Sequence, residues 1–213
     1  MSPSTLEQRV AERTREIEDE HVAVLQRLVA VAEFRDHDAG EHPQRVGRLS
    51  GLLAEQMGLP AEMVDNIRRA APLHDIGLIS IPDSIMLKQT ALTEQEQRIM
   101  RTHVTIGARI LAGGQSALLQ SAERIALSHH ERWTGKGYPD RLAGERIPIE
   151  ARVVGLVDSF EALTHDRPFR TAWTLQKALA FIGDESGRLF DPAVVLAFLK
   201  LRRAGVDLLS SEY

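Results

Sequence analysis

Between Ile149 and about Leu163 the chain contains Val153-Val154-Gly155-Leu156-Val157-Asp158-Ser159-Phe160, an apolar helical run with one acid inside it. A carboxylate buried among such neighbours must be paired, hydrogen-bonded or metal-bound, because an isolated buried charge costs several kcal/mol or more. Any fold of this chain therefore has to bring a cation to Asp158. The chain has no cysteine, which excludes disulfide frameworks and thiolate metal sites alike. Imidazole and carboxylate remain as ligands, and eight histidines are present.

The most informative of these is in Leu73-His74-Asp75-Ile76-Gly77, which ends an apolar helical run starting near Ala61. The spacing predicts a helix over 61–76, stopped at Gly77. An imidazole beside a carboxylate can serve two ions, since the two carboxylate oxygens can bridge a pair about 3.5–4 Å apart. Asp38 and His42 are four residues apart, one helical turn, and fit either a shared metal or a surface pair. Thr93 with Glu96 forms a capping box that starts a helix running to about Leu111 and carrying His103. A further helix over 117–130 ends in His129-His130-Glu131, two adjacent borderline ligands suited to Fe, Mn, Ni or Zn. In the loop that follows, Gly135 and Gly137 would let backbone approach a ligand closely and Tyr138 could stack on a planar group, although a plain turn has the same composition. Arg167 and Arg170, three apart and near Asp158, suit bidentate phosphate contacts or surface salt bridges.

Around these groups the pattern is helical throughout. Ser4 to Arg35 has no Gly or Pro, and Val10, Thr14, Ile17, His21, Val24, Leu28 and Val31 follow the 4-3 spacing of a coiled-coil seam. Residues 1–20 read as a coiled-coil or linker helix and 21–213 as one domain, with the second half of the long helix packing on it. Further helices are expected at 41–57, closed by Gly58 and Pro60, and at 174–186 and 192–203, with Ile79 to Asp83 extended. No segment reads as a strand, so the expected class is all-α. With 213 residues, 43% of them hydrophobic, one well-buried core plus an appendage fits better than two domains. A net charge of −4 gives no global attraction to DNA or anionic lipid. No run of 18 apolar residues and no apolar signal core is present, so a cytoplasmic location is expected.

Taken in order, His42, His74-Asp75-Ile76-Gly77, Ile81-Pro82-Asp83, His103, His129-His130-Glu131, Gly135-x-Gly137-Tyr138-Pro139, Asp158 and Asp166-Arg167-Pro168-Phe169-Arg170 resemble the HD-GYP family, a branch of the HD-domain metal hydrolases. The resemblance covers about residues 21–203. It implies an HD-domain-like helical bundle around a multinuclear metal site, and a phosphodiesterase that hydrolyses the bacterial second messenger cyclic di-GMP to pGpG or GMP. It implies metal ligands at Asp38, His42, His74, Asp75, His103, His129, His130 and Asp158, with Asp75 bridging and taking the central catalytic place. Asp38 stands where trinuclear members have an acid, so two or three divalent ions are expected, Fe or Mn, with Ni or Zn compatible. Tyr138, Gly135, Gly137, Arg167 and Arg170 would contact the substrate. The 4-3 seam points to a homodimer through the N-terminal helix or to packing on its own domain, and the similarity of that helix to the signalling helix of response regulators implies an upstream receiver or sensor domain, with a GGDEF-type protein as partner.

Three positions depart from the family pattern. The lysine that follows HDIG in the family is Leu78, the acid or Asn before the first loop glycine is Thr134, and the glycine after the tyrosine-proline turn is Arg141. Leu78 removes a cation from the active-site mouth while leaving the ligands intact, with Lys88, Arg167 and Arg170 as candidate substitutes. It keeps open a second reading, a weakened module that binds metal and nucleotide as a sensor or interaction domain.

Overall fold

The computed structural model describes residues 3–33, 41–166 and 171–209. These form ten α-helices: α1 (Pro3–Glu33), α2 (His42–Gln56), α3 (Ala61–Ala70), α4 (Asp83–Met86), α5 (Glu94–Met100), α6 (His103–Leu111), α7 (Ala117–Ser128), α8 (Ile149–Thr164), α9 (Leu175–Asp184) and α10 (Pro192–Arg203). Among the described residues there is no strand, only isolated bridges between Thr134 and Ala143 and between Ser186 and Phe190. No helix is long and apolar enough to cross a membrane.

Helix α8 is the axis of the bundle. Val153, Val154, Leu156, Val157 and Phe160 are all fully buried, so several of its faces are covered, as expected of a helix that is apolar nearly all round. Helices α2, α7, α9 and α10 pack on it. Its three buried or half-buried acids each meet a basic group from elsewhere. Arg124 of α7 donates to Glu150 at 2.5 Å, Arg45 of α2 donates to Glu161 at 2.7 Å, and Asp158 faces His42 and His74. The Arg45–Glu161 pair lies three residues beyond His42 on α2 and three beyond Asp158 on α8, so it fixes the two helices in the register that brings those two side chains together.

Helix α1 runs without a break through residue 20. Val22 and Val29 are buried and Leu25 packs against the core, while Arg69 of α3 reaches Asp19. The seam residues Val10, Ile17, Val24 and Leu28 are exposed, as is His21, so the helix presents one face to its own domain and a second, apolar face to solvent.

Two expected helices are shorter than the sequence pattern implied. The run from Ala61 leaves α geometry at Ala70 and continues as a 3₁₀ turn over Ala71–Leu73, because Pro72 has no N–H to donate to the carbonyl four residues back. A second 3₁₀ turn spans Ile76–Ser80, so extended backbone is confined to Ile81 and Pro82 and does not begin at Ile79. The capping box at Thr93 forms as expected, but its helix ends at Met100 and a new one starts at His103. There the Thr102 hydroxyl donates to the Ile99 carbonyl and the His103 ring bonds the Met100 carbonyl, local bonds that compete with a continuous helical ladder.

Gly77 joins these two irregular segments. A Cβ there would overlap the His103 carbonyl and come within 2.6 Å of the Gly107 nitrogen, so only glycine lets the 76–80 turn lie directly on α6. That contact carries His103 up to Asp75.

Candidate metal centre

The candidate ligands arrive from helix ends, irregular turns and the body of one helix. His42 opens α2, His74 and Asp75 sit between two 3₁₀ turns, His103 opens α6, His129 and His130 follow α7, and Asp158 projects from α8. They gather into two adjoining groups: Asp75, His103, His129 and His130, and His42, His74 and Asp158. Asp75 connects them. Its Oδ1 lies 3.3 Å from His103 Nε2 and 3.4 Å from His129 Nε2, while its Oδ2 lies 3.3 Å from His74 Nε2. In the second group Asp158 Oδ1 is 3.5 Å from His42 Nε2 and 3.7 Å from His74 Nε2. Bonds of about 2.0–2.2 Å from a shared ion would hold ligand atoms roughly 3 Å apart at right angles, so these separations have the size of coordination shells.

Three rings are oriented by their own backbone. Nδ1 bonds a carbonyl at Ala71 for His74 (2.9 Å), at Met100 for His103 (2.8 Å) and at Ile125 for His129 (3.0 Å). When Nδ1 donates, Nε2 carries the lone pair, which is the tautomer a metal needs. All three Nε2 atoms and Asp75 Oδ1 are buried with no hydrogen-bond partner. Several unpaired polar atoms converging in one place are costly in a bare protein and satisfied together by a divalent cation. The residues present fit such an ion.

The electrostatics agree. Burial disfavours the charged His74 ring, yet Asp75 beside it, with Asp158, outweighs burial and holds its pKa well above the usual imidazole range. Burial likewise opposes the charges on Asp75 and Asp158, but the surrounding imidazoles hold both well below the usual carboxylate range. Burial and the neighbouring His129 push His130 the other way, well below the usual range, so it stays neutral. Protons on the cluster take the place that metal ions would fill.

Tyr138 stacks on His130 with ring centroids 4.9 Å apart, and burial pushes its phenol above the usual tyrosine range, so it remains a neutral O–H. Gly137 is buried against the backbone of His130 to Arg132, where a Cβ would overlap Arg132 N, and Gly135 has a positive φ of 74°. Both glycines thus serve the loop's own folding. Glu131 ties that loop down by accepting a bond from Asp140 N at 2.8 Å. Asp38, Arg167 and Arg170 lie outside the described residues. Leu78 is half-buried, and Lys88 is engaged with Glu96 at 2.6 Å. Sequence reasoning missed the Arg45–Glu161 pair, whose signal was a second acid three residues after Asp158. It also missed Arg101, whose guanidinium lies 5.0 Å over the Tyr138 ring.

The chain belongs to the HD domain family, whose model matches residues 24–194, and within it to the HD-GYP branch. It is 46% identical over 198 residues to the cyclic di-GMP phosphodiesterase response regulator RpfG of Xanthomonas campestris pv. campestris, a match covering 93% of this chain and 52% of that protein. It is 45% identical over 207 residues to a cyclic di-GMP phosphodiesterase of Thermotoga maritima, covering 97% and 56%. The crystal structure of a cyclic GMP-AMP specific phosphodiesterase of V. cholerae, V-cGAP3, shares the fold with a TM-score of 0.61 at 19% identity, over 84% of this chain and 48% of that one. The chain spans about half the length of the curated relatives it matches.

Proposed function

We propose that this chain is a metal-dependent phosphodiesterase that hydrolyses cyclic di-GMP to pGpG, GMP or both. The observation that carries the reading is Asp75, whose two oxygens face the two histidine groups separately. Its similarity to two cyclic di-GMP phosphodiesterases supports the substrate. Asp75, His103, His129 and His130 would hold one ion, and His42, His74 and Asp158 a second, with Asp75 bridging and Asp38 adding a third. Fe or Mn suits this nitrogen and oxygen set, and Ni or Zn is compatible. When bound, such ions would supply Lewis acidity, neutralising charge on the phosphate and lowering the pKa of water. The chain's own groups hold the imidazole nitrogens in place through Nδ1, keep Tyr138 as a neutral donor beside His130, and use Arg167 and Arg170 for phosphate. Hydrolysis forms a bond from a water oxygen to phosphorus and breaks the bond from phosphorus to the ribose oxygen.

The test is purified chain loaded anaerobically with Fe(II) or Mn(II), given cyclic di-GMP, with products resolved by chromatography. Turnover that depends on metal is expected. A fully loaded protein that binds cyclic di-GMP without cleaving it would support the sensor reading instead, which the apolar Leu78 and the engagement of Lys88 by Glu96 favour. Preference for a mixed cyclic dinucleotide would correct the substrate.

Residues 1–20 serve as the signalling arm and 21–213 as the phosphodiesterase domain of a cytoplasmic response regulator, whose input is an upstream receiver or sensor domain and whose partners include a GGDEF-type protein. The exposed seam of Val10, Ile17, Val24 and Leu28 supports a homodimer through α1. Removing residues 1–20 should shift the protein toward monomer in sedimentation while its metal content is kept; unchanged dimerisation would move the interface elsewhere.

A further inference from the structure

Beside the site lies Arg101, whose guanidinium makes no side-chain hydrogen bond among the described residues. Arg101 lies in the break between α5 and α6, two residues before His103, and is exposed. Its guanidinium is one 5.0 Å step from the Tyr138 ring, and that ring is one 4.9 Å step from His130. Chain connectivity ties Arg101 to one ligand and stacking ties it to another. Among the described residues it forms no ion pair. Lys88, by contrast, spends its charge on Glu96, and Arg98 one turn earlier on α5 pairs with Glu94 at 3.9 Å. A guanidinium over an aromatic ring is held by its face, which leaves the charge unneutralised and the in-plane N–H groups available for a bidentate anion.

We infer that Arg101 binds the non-reacting phosphodiester of the substrate. The inference rests on the reading above that the substrate is a cyclic dinucleotide. Such a ring carries two phosphodiesters, and when one lies against the Asp75 group the other needs a cation beyond the first layer of ligands. Arg101 stands one aromatic ring away from His130, presents a planar fork, and is already oriented by Tyr138. Tyr138 then works from beneath this arginine, its ring in contact with both the guanidinium and His130. The break at Thr102, which ends α5 before His103, gives Arg101 its place at the rim.

The experiment compares Arg101→Ala, Arg101→Lys and Arg98→Ala with wild type at equal metal content. Cyclic di-GMP is one substrate, and bis(4-nitrophenyl) phosphate, which has a single phosphodiester, is the other. Arg101→Ala should raise KM and the calorimetric Kd for cyclic di-GMP about tenfold or more, the usual consequence of losing a charge-assisted contact, with kcat little changed. Hydrolysis of bis(4-nitrophenyl) phosphate should be unaffected. Arg101→Lys should recover part of the loss, and Arg98→Ala should change neither substrate. Equal losses on both substrates would place Arg101 at the reacting phosphate and overturn the inference, as would unchanged KM and Kd. Wild type that cleaves the simple diester but not cyclic di-GMP would refute the proposed activity alone, since Kd still reads the role of Arg101. If wild type does not bind cyclic di-GMP either, both fall.

Discussion

The interior of the metal centre and its mouth are built by different means. Inside, His74, His103 and His129 each bond a carbonyl three or four residues earlier in their own chain segment, so the direction of each ligand atom is a local property of a helix end. At the rim, Arg101 is laid over Tyr138 and Tyr138 is stacked on His130, contacts between segments distant along the sequence or across a turn. The interior tolerates little change, because its polar atoms are buried and several of them have no hydrogen-bond partner. Charges at the rim are solvated and can be exchanged at modest cost.

That contrast breaks first, and hardest, at Asp75. Asp75→Asn removes the charge that faces both groups while keeping the volume. Elemental analysis should find at least one ion fewer per chain, and phosphodiesterase turnover should fall about a thousandfold or more. Full metal content in this variant would mean that the two groups are independent and that Asp75 does not join them.

Protonation probes the same interior more gently. In the metal-free protein the raised pKa of His74 contributes stability that is fully present below about pH 6.5 and is lost as pH rises through the folded-state value. The depressed values of Asp75 and Asp158 contribute stability that is present above about pH 4 and is lost as pH falls through theirs. An incoming ion must displace the His74 proton, so Mn(II) affinity should climb with pH above neutrality, by up to roughly tenfold per unit for each proton released. The contribution of Arg101 to KM should stay flat over the same range, since a guanidinium does not titrate there. A pH-independent Mn(II) affinity would show that His74 is already neutral before metal arrives.

Much of this interior was legible in the sequence. His42, His74, Asp75, His103, His129, His130 and Asp158 were named as ligands through the resemblance to the HD-GYP family, and they converge; all but Asp158 lie at or beside a helix end. The acid inside an apolar run was a sound guide, since α8 is the buried axis and Asp158 is met by two imidazoles. Periodicity failed where side chains compete with the backbone for hydrogen bonds or where a proline withholds one. It carried the helix from Ala61 past Pro72 and the helix from Thr93 past Thr102. The second failure hid Arg101, which inside a continuous helix would have had no reason to be singled out. Glu161 was legible as a second acid needing a cation, but its partner was not, because Arg45 is 116 residues away and only packing of α2 on α8 brings the two together.

Gly77→Ala tests whether the interior depends on backbone approach as much as on ligands. The added methyl would overlap the His103 carbonyl, and backbone cannot step aside as a flexible side chain can. A destabilisation of roughly 1–3 kcal/mol is expected from such overpacking. For a chain of this size that corresponds to a Tm lower by roughly 2–4 °C per kcal/mol. Weaker metal binding should accompany it, because His103 would be displaced from Asp75 Oδ1. A variant with wild-type Tm and metal affinity would show that α6 can shift without cost.

The smallest effect is expected at the mouth, from Leu78→Lys. Leu78 follows Gly77 in the 3₁₀ turn after Asp75 and is half-buried, so a lysine there can run its stem along apolar surface and lift its ammonium toward solvent at the rim. A cation placed on developing phosphate charge is worth from about tenfold upward when it is well oriented. If Arg101 already supplies positive charge to the same substrate, the gain in turnover should stay near the bottom of that range, about tenfold or less. Combining Leu78→Lys with Arg101→Ala separates the two contributions. If lysine acts on the reacting phosphate and Arg101 on the other, the first change moves kcat, the second moves KM, and the double variant shows both in full. If lysine instead restores the KM lost with Arg101, the two side chains serve one phosphate, and the mouth has a single cation site that either residue can fill.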